Sequence, residues 1–187
     1  MDTRTQLLDA AERLFAERGY SGTSIRAITN EAGANLAAVG YYFGSKADLA
    51  AAVARRVIEP INAAQGENLD RLLAAGGEPA VADLVEAFVG PLFDVRSART
   101  SRLLMTILGD PAEEMRSWVG PVEAMFRDRY LAALQRALPG LAEQELWFRV
   151  RGMLAVTVVD RIEPTGDEGR RWAVTFLAAA MSAPPTR

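Results

Sequence analysis

Apolar residues recur along this chain at three- and four-residue steps, and no stretch carries a strand signal, so the pattern predicts an all-helical protein. Leu7, Leu8, Ala11, Leu14 and Phe15 form a first stripe that stops at Gly19, with Thr3 and Gln6 at capping-box spacing ahead of it. A second short helix starts near Ser24, because Thr23 and Ser24 offer capping hydroxyls and Ile25, Ile28 and Ala32 follow at helical steps. Gly33 can adopt the left-handed conformation that ends it, and Asn35 is placed to cap a third helix over Leu36 to Tyr42. The intervening turn is short, so the two helices must cross, which is the layout of a helix-turn-helix. A fourth helix is expected from Lys46 to Glu59, kinked or broken at Pro60.

Beyond it, turn residues punctuate further helices near Ile61 to Ala75, Pro79 to Val95, Ala98 to Leu108, Pro111 to Trp118, Pro121 to Leu138, Ala142 to Ile162 and Gly169 to Met181. The tail from Ala183 to Arg187 is expected to fray. The division that follows is a three-helix helix-turn-helix head over residues 1–59 and a larger helical body over residues 60–187.

The third helix has an unusual composition. Leu36, Ala37, Ala38, Val39 and Gly40 carry almost no polar atoms, and a glycine inside a helix costs about 1 kcal/mol against alanine. A small apolar face suits close approach to a groove floor and contact with thymine methyl groups. Tyr41 and Tyr42 can donate hydroxyls to phosphates, which fixes register without reading bases. Val39 and Phe43 are expected beneath the helix as core. A phosphate near Lys46 would relieve the opposition between its charge and the first turn of a helix.

With Phe43, Gly44, Ser45 and Lys46 after the tyrosine pair, and Arg18, Gly19 and Tyr20 upstream, residues 3–60 resemble the DNA-binding domain of the TetR family of bacterial repressors. The resemblance implies a DNA-facing set of Thr23, Ser24, Arg26, Asn35, Leu36, Ala37, Ala38, Gly40, Tyr41, Tyr42 and Lys46. Two departures matter: many members carry tyrosine at the position of Gly40 and threonine or serine at that of Ala38. Hydroxyls that commonly touch DNA are therefore missing, and Arg26, Asn35 or DNA shape must carry more of the recognition.

Charge does not announce nucleic acid. Seven basic and seven acidic residues lie in 1–59, so the formal net charge of −3 falls on the body, and only local placement can give an electrostatic footprint. The absence of cysteine and histidine removes thiol chemistry, the usual soft metal ligands and histidine acid-base catalysis. No paired motif for carboxylate, lysine or tyrosine catalysis replaces them, so no enzyme and no cofactor are expected. No apolar run approaches the roughly 18 residues of a membrane span, and the expected location is cytoplasmic.

In the body, Trp147, Val150, Leu154 and Val158 share one helical face, and Phe176 lies on the last helix. The resemblance implies that the last two helices form a homodimer interface, with two heads meeting the half-sites of a palindromic double-stranded operator. It also implies a small-molecule effector site among the middle helices. Phe88, Leu92, Leu104, Leu108, Met115, Trp118, Met125 and Phe126 supply an adaptable apolar lining, with Arg99, Arg102 and Asp94 to orient a polar end. Asn35 to Val39, Arg55-Arg56 and Pro60 to Asn62 are similar to the family branch that contains a fatty-acid-responsive repressor, which favours an apolar effector. The alternative is a ligand-independent DNA-bound adaptor whose body recruits another protein.

Overall fold

The computed structural model describes residues 2–95, 97–109, 128–160 and 166–185, and these are helical with short turns and no strand among them. The helices are α1 (Thr3–Arg18), α2 (Ile25–Ala32), α3 (Ala37–Phe43), α4 (Lys46–Ala74), α5 (Val81–Phe93), α6 (Ala98–Gly109), α7 (128–137), α8 (Glu143–Asp160) and α9 (Gly166–Met181). The expected helix over Pro111 to Trp118, and the start of the next, lie outside the described residues.

Two compact units emerge. The first holds the chain up to Glu59 and takes in α6; the second begins at Pro60 and holds α5 and α7 to α9. The sequence placed α6 in the body. Instead α6 packs on α1, and its buried Leu103, Leu104 and Ile107 join Leu7, Leu14, Phe15, Ile28, Val39, Leu49 and Val53 in the apolar interior of the first unit. Burying these side chains is worth about 1.5 to 3 kcal/mol each before conformational entropy is subtracted.

Helix ends follow local chemistry, with corrections. Asp2, not Thr3, caps α1: its carboxylate accepts from the Thr5 N–H at 2.8 Å, and this bond holds its pKa below the ordinary carboxylate value. Ser24 caps α2, accepting from the Ala27 N–H at 3.1 Å, and Gly33 ends it in the left-handed region at φ 63°. Ser45 caps α4, accepting from the Asp48 N–H at 3.0 Å. The largest difference is at Pro60. No break occurs; α4 runs through it, because Pro60 sits on the exposed side while Val57, Ile58, Ile61, Gln65 and Leu69 keep a buried stripe intact across it.

In the second unit, Leu69, Leu84, Val85, Val89, Tyr130, Leu134, Leu146, Val150, Met153, Leu177 and Met181 form the core. Pro91 lies inside α5 and has no N–H, so the buried Ala87 loses the helical donor its carbonyl would otherwise receive. Asn68 of α4 supplies one from its side-chain amide at 3.3 Å, and Gln65 donates to the next carbonyl, Phe88 O, at 2.6 Å. Arg149 performs the same service for α9, donating to the carbonyls of Met181 at 2.6 Å, Ala183 at 2.7 Å and Pro184 at 3.0 Å, while pairing with Glu145. The tail is therefore tied down as far as Pro184, where fraying was expected.

Candidate nucleic-acid interface

α2, the Gly33 turn and α3 form the helix-turn-helix, and α1 packs on both. Burial divides α3 into two faces. Val39 and Ala38 point into the core, whereas Leu36 (55% exposed), Ala37, Gly40, Tyr41 (82% exposed) and Tyr42 lie on the outside. The rings of Tyr41 and Tyr42 meet edge to face at 4.9 Å, and each leaves its residue exposed. A Cβ built on Gly40 would have no atom within 4 Å, so nothing in the protein requires glycine there. On α2 and the turn, Ser24, Arg26 and Asn35 are exposed.

Three members of the expected DNA-facing set are placed differently. Thr23 is 1% exposed, and its hydroxyl lies 2.8 Å from Gly19 O and 3.2 Å from Leu14 O, so it ties the loop after α1 to that helix and does not face a groove. Ala38 is buried beside Val39 on the inward face of α3, which packs on α1 and α2. Lys46 is half-buried: its ammonium donates to Tyr20 O at 2.7 Å and sits 4.0 Å over the Tyr20 ring, which joins the first turn of α4 to the loop after α1. Asn35 also differs in role. α3 begins after Leu36, which has helical φ and ψ, and no side-chain hydrogen bond caps it there.

Arg4 was not anticipated. Its guanidinium lies 5.2 Å over the ring of Phe43, at the end of α3, and its residue is exposed. No sequence signal ties position 4 to position 43; only the packing of α1 on α3 brings them together. Two further arginines of this unit pair locally: Arg13 with Glu31 at 2.5 Å, and Arg56 with Asp9 at 2.6 Å and Glu12 at 3.5 Å. Arg4 and Arg26 are exposed and stand as candidate cations of the helix-turn-helix.

The residues expected around an effector fall in both units. Phe88 and Leu92 belong to the second unit, Phe88 resting edge-on against the Tyr130 ring at 5.2 Å, whereas Leu104 is in the interior of the first. Met115, Trp118, Met125, Phe126 and the side chain of Leu108 lie outside the described residues. In the first unit, Phe15, Tyr20, Ala50, Val53, Ala54, Leu103, Thr106 and Ile107 line an apolar cavity of about 10 Å³, which is no larger than one water and too small for an effector.

The expected dimer residues also divide. Val150 is part of the core, Trp147 packs against that core half-buried, Leu154 is half-buried, and the side chain of Val158 lies outside the described residues. Of these four, Val150 faces the core and Trp147 borders it. Phe176 is exposed, and the surface it belongs to also carries Trp172 on the same face of α9; Phe148 is exposed on α8. Periodicity flags an apolar face without saying which of two apolar faces is the core, so Phe148 was missed, whereas Trp172 shares the apolar surface that the spacing marks on the last helix.

Residues 7–53 match the description of the tetR family of bacterial regulatory proteins, and residues 86–180, more than half of the chain, match the tetracyclin repressor-like C-terminal domain. The HTH-type transcriptional repressor NicS of Pseudomonas putida is 37% identical over 87 residues, 46% of this chain and 40% of that protein. The repressor AcnR of Corynebacterium glutamicum is 37% identical over 54 residues, 29% of each. The matched part of the chain spans between 24% and 49% of the length of such relatives. Among solved structures, SmeT, the repressor of the Stenotrophomonas maltophilia multidrug efflux pump SmeDEF, superposes with a TM-score of 0.69 at 23% identity, covering 100% of this chain and 96% of that one. NalD, the secondary repressor of the MexAB-OprM multidrug efflux pump in Pseudomonas aeruginosa, gives 0.67 at 20% identity, covering 96% and 93%. At these identities the structural likeness concerns the fold.

Proposed function

The chain belongs to the tetR family of bacterial regulatory proteins, DNA-binding transcriptional regulators and not enzymes, and from that premise we propose a cytoplasmic homodimeric repressor that an apolar small molecule releases from a palindromic operator. The observation that carries the DNA-binding part is the two-faced α3: Val39 and Ala38 anchor it, and Leu36, Ala37, Gly40, Tyr41 and Tyr42 are left outward beside the exposed Arg26 of α2. In this reading Arg26 reaches a base edge or phosphate, α3 enters the major groove, and Tyr41, Tyr42 and Arg4 hold the backbone on either side. Lys46 acts chiefly by fixing the loop after α1 through Tyr20.

Homodimerisation is supported by Trp172 and Phe176, both 62% exposed at i and i+4 on α9, and by Phe148 on α8. Two half-sites then require two heads. An effector releases such a dimer only by preferring its DNA-incompetent state, and a tenfold loss of operator affinity needs about 1.4 kcal/mol of preference. An apolar effector accords with the methionine and aromatic residues of the middle segments. No helix among the described residues is long and apolar enough to cross a membrane, in keeping with a cytoplasmic location.

The test is fluorescence anisotropy on DNA flanking the protein's own gene and on scrambled DNA, at two salt concentrations, followed by titration of an apolar ligand panel into the complex. A preference of about a thousandfold, falling with salt, and release by a panel member are the expected results. Equal, weak binding to both DNAs, repeated on sequences selected from random DNA, refutes the regulator reading.

A further inference from the structure

Recognition helices usually read bases through arginine, lysine, asparagine or glutamine, because these side chains match the donor and acceptor pattern of purine edges in the major groove. From Leu36 to Phe43 this chain has none of them. The outward surface of α3 consists of a leucine, an alanine, a glycine and two tyrosines, and the leucine keeps more than half its surface exposed although its neighbour Ala38 is buried. Internal packing does not explain that exposure, nor does it explain Gly40, which weakens the helix and leaves open space where a side chain would stand. One apolar group projects from base pairs into the major groove: the C5 methyl of thymine.

We propose that α3 reads thymine methyl groups, through Leu36 and Ala37 with Gly40 letting the backbone come close, so that each half-site carries consecutive A·T pairs beneath α3. Hydrogen-bonded readout is left to Arg26 of α2 and Asn35 of the turn. This inference rests on the DNA-binding reading above. Its chemical signature is distinctive, since deleting a methyl changes no base pairing and no donor or acceptor in the groove.

The test begins with selection of preferred duplexes from random DNA using the full chain. Thymines of the selected half-site are then replaced singly by deoxyuridine, and purines beneath α3 by their 7-deaza forms, which lack the N7 acceptor. The expected result is a loss of about fourfold per contacted methyl at one or two positions, with little response to 7-deaza substitution there. In Leu36→Ala, whose site is exposed and need not disturb the fold, the deoxyuridine effect should shrink at the position that leucine covers. Undiminished binding to deoxyuridine operators, with strong sensitivity to 7-deazapurines beneath α3, overturns the proposal while leaving a sequence-specific regulator. Failure to select any preferred sequence overturns the regulator reading, and this inference with it.

Discussion

A methyl group at position 40 would meet nothing within 4 Å, and alanine is a better helix former than glycine by about 1 kcal/mol. Gly40→Ala should therefore raise stability toward that limit in urea unfolding while weakening operator binding measured by anisotropy; tighter binding would show that the groove does not come close at this position. Tyr130 is a second informative residue. It is 3% exposed and its hydroxyl donates to Gln65 O at 2.9 Å, and burial raises its pKa above the ordinary phenol value of 10.0. A raised folded pKa means the neutral phenol's contribution is fully present below about pH 10 and lost as pH rises through the folded value. Wild-type protein should lose stability in that alkaline range more steeply than Tyr130→Phe, a comparison made by thermal unfolding across pH. At this scale the sequence was partly legible: Ser24 and Gly33 announce their roles by type and position, whereas the burial of Thr23 depends on carbonyls of Leu14 and Gly19 that the loop brings back to it.

Among the elements, α4 and α5 show how a proline can be accommodated inside a helix. In α5 the carbonyl left by Pro91 is served by Asn68 from α4. Removing that donor should cost about 1 to 3 kcal/mol, the penalty of a buried unsatisfied carbonyl. Asn68→Ala combined with Pro91→Ala should cost less than Asn68→Ala alone, because the helix then supplies its own N–H; additive losses in a double-mutant cycle of urea unfolding would contradict the compensation. Helix order in the described residues was readable from apolar spacing, since α1, α2, α5, α6, α8 and α9 fall within a few residues of their expected spans. The fusion of two expected helices into α4 was not, because proline's local cost is visible in a sequence and the buried stripe from Val57 to Leu69 that offsets it is recognised only once packing is known.

For the whole molecule, the exposed aromatics of α8 and α9 argue for self-association. Glutamate at position 172 or 176 should convert a dimer to a monomer in sedimentation velocity and weaken operator binding, because two linked heads bind far more tightly than one. An unchanged dimer would place the interface elsewhere. Division into units was only partly legible: Pro60 is visible in the sequence as a helix punctuator although α4 runs through it, and the membership of α6 in the first unit is a long-range packing choice carried by Leu103, Leu104 and Ile107. Lys46 has a use that follows from its being the chain's one lysine. Reductive methylation with carbon-13 formaldehyde would give the folded protein a single side-chain dimethylamine resonance, apart from the α-amine, reporting from the contact with Tyr20. The ring should shift that resonance upfield, and its response to operator DNA would make the loop after α1 visible in solution without any substitution in the protein.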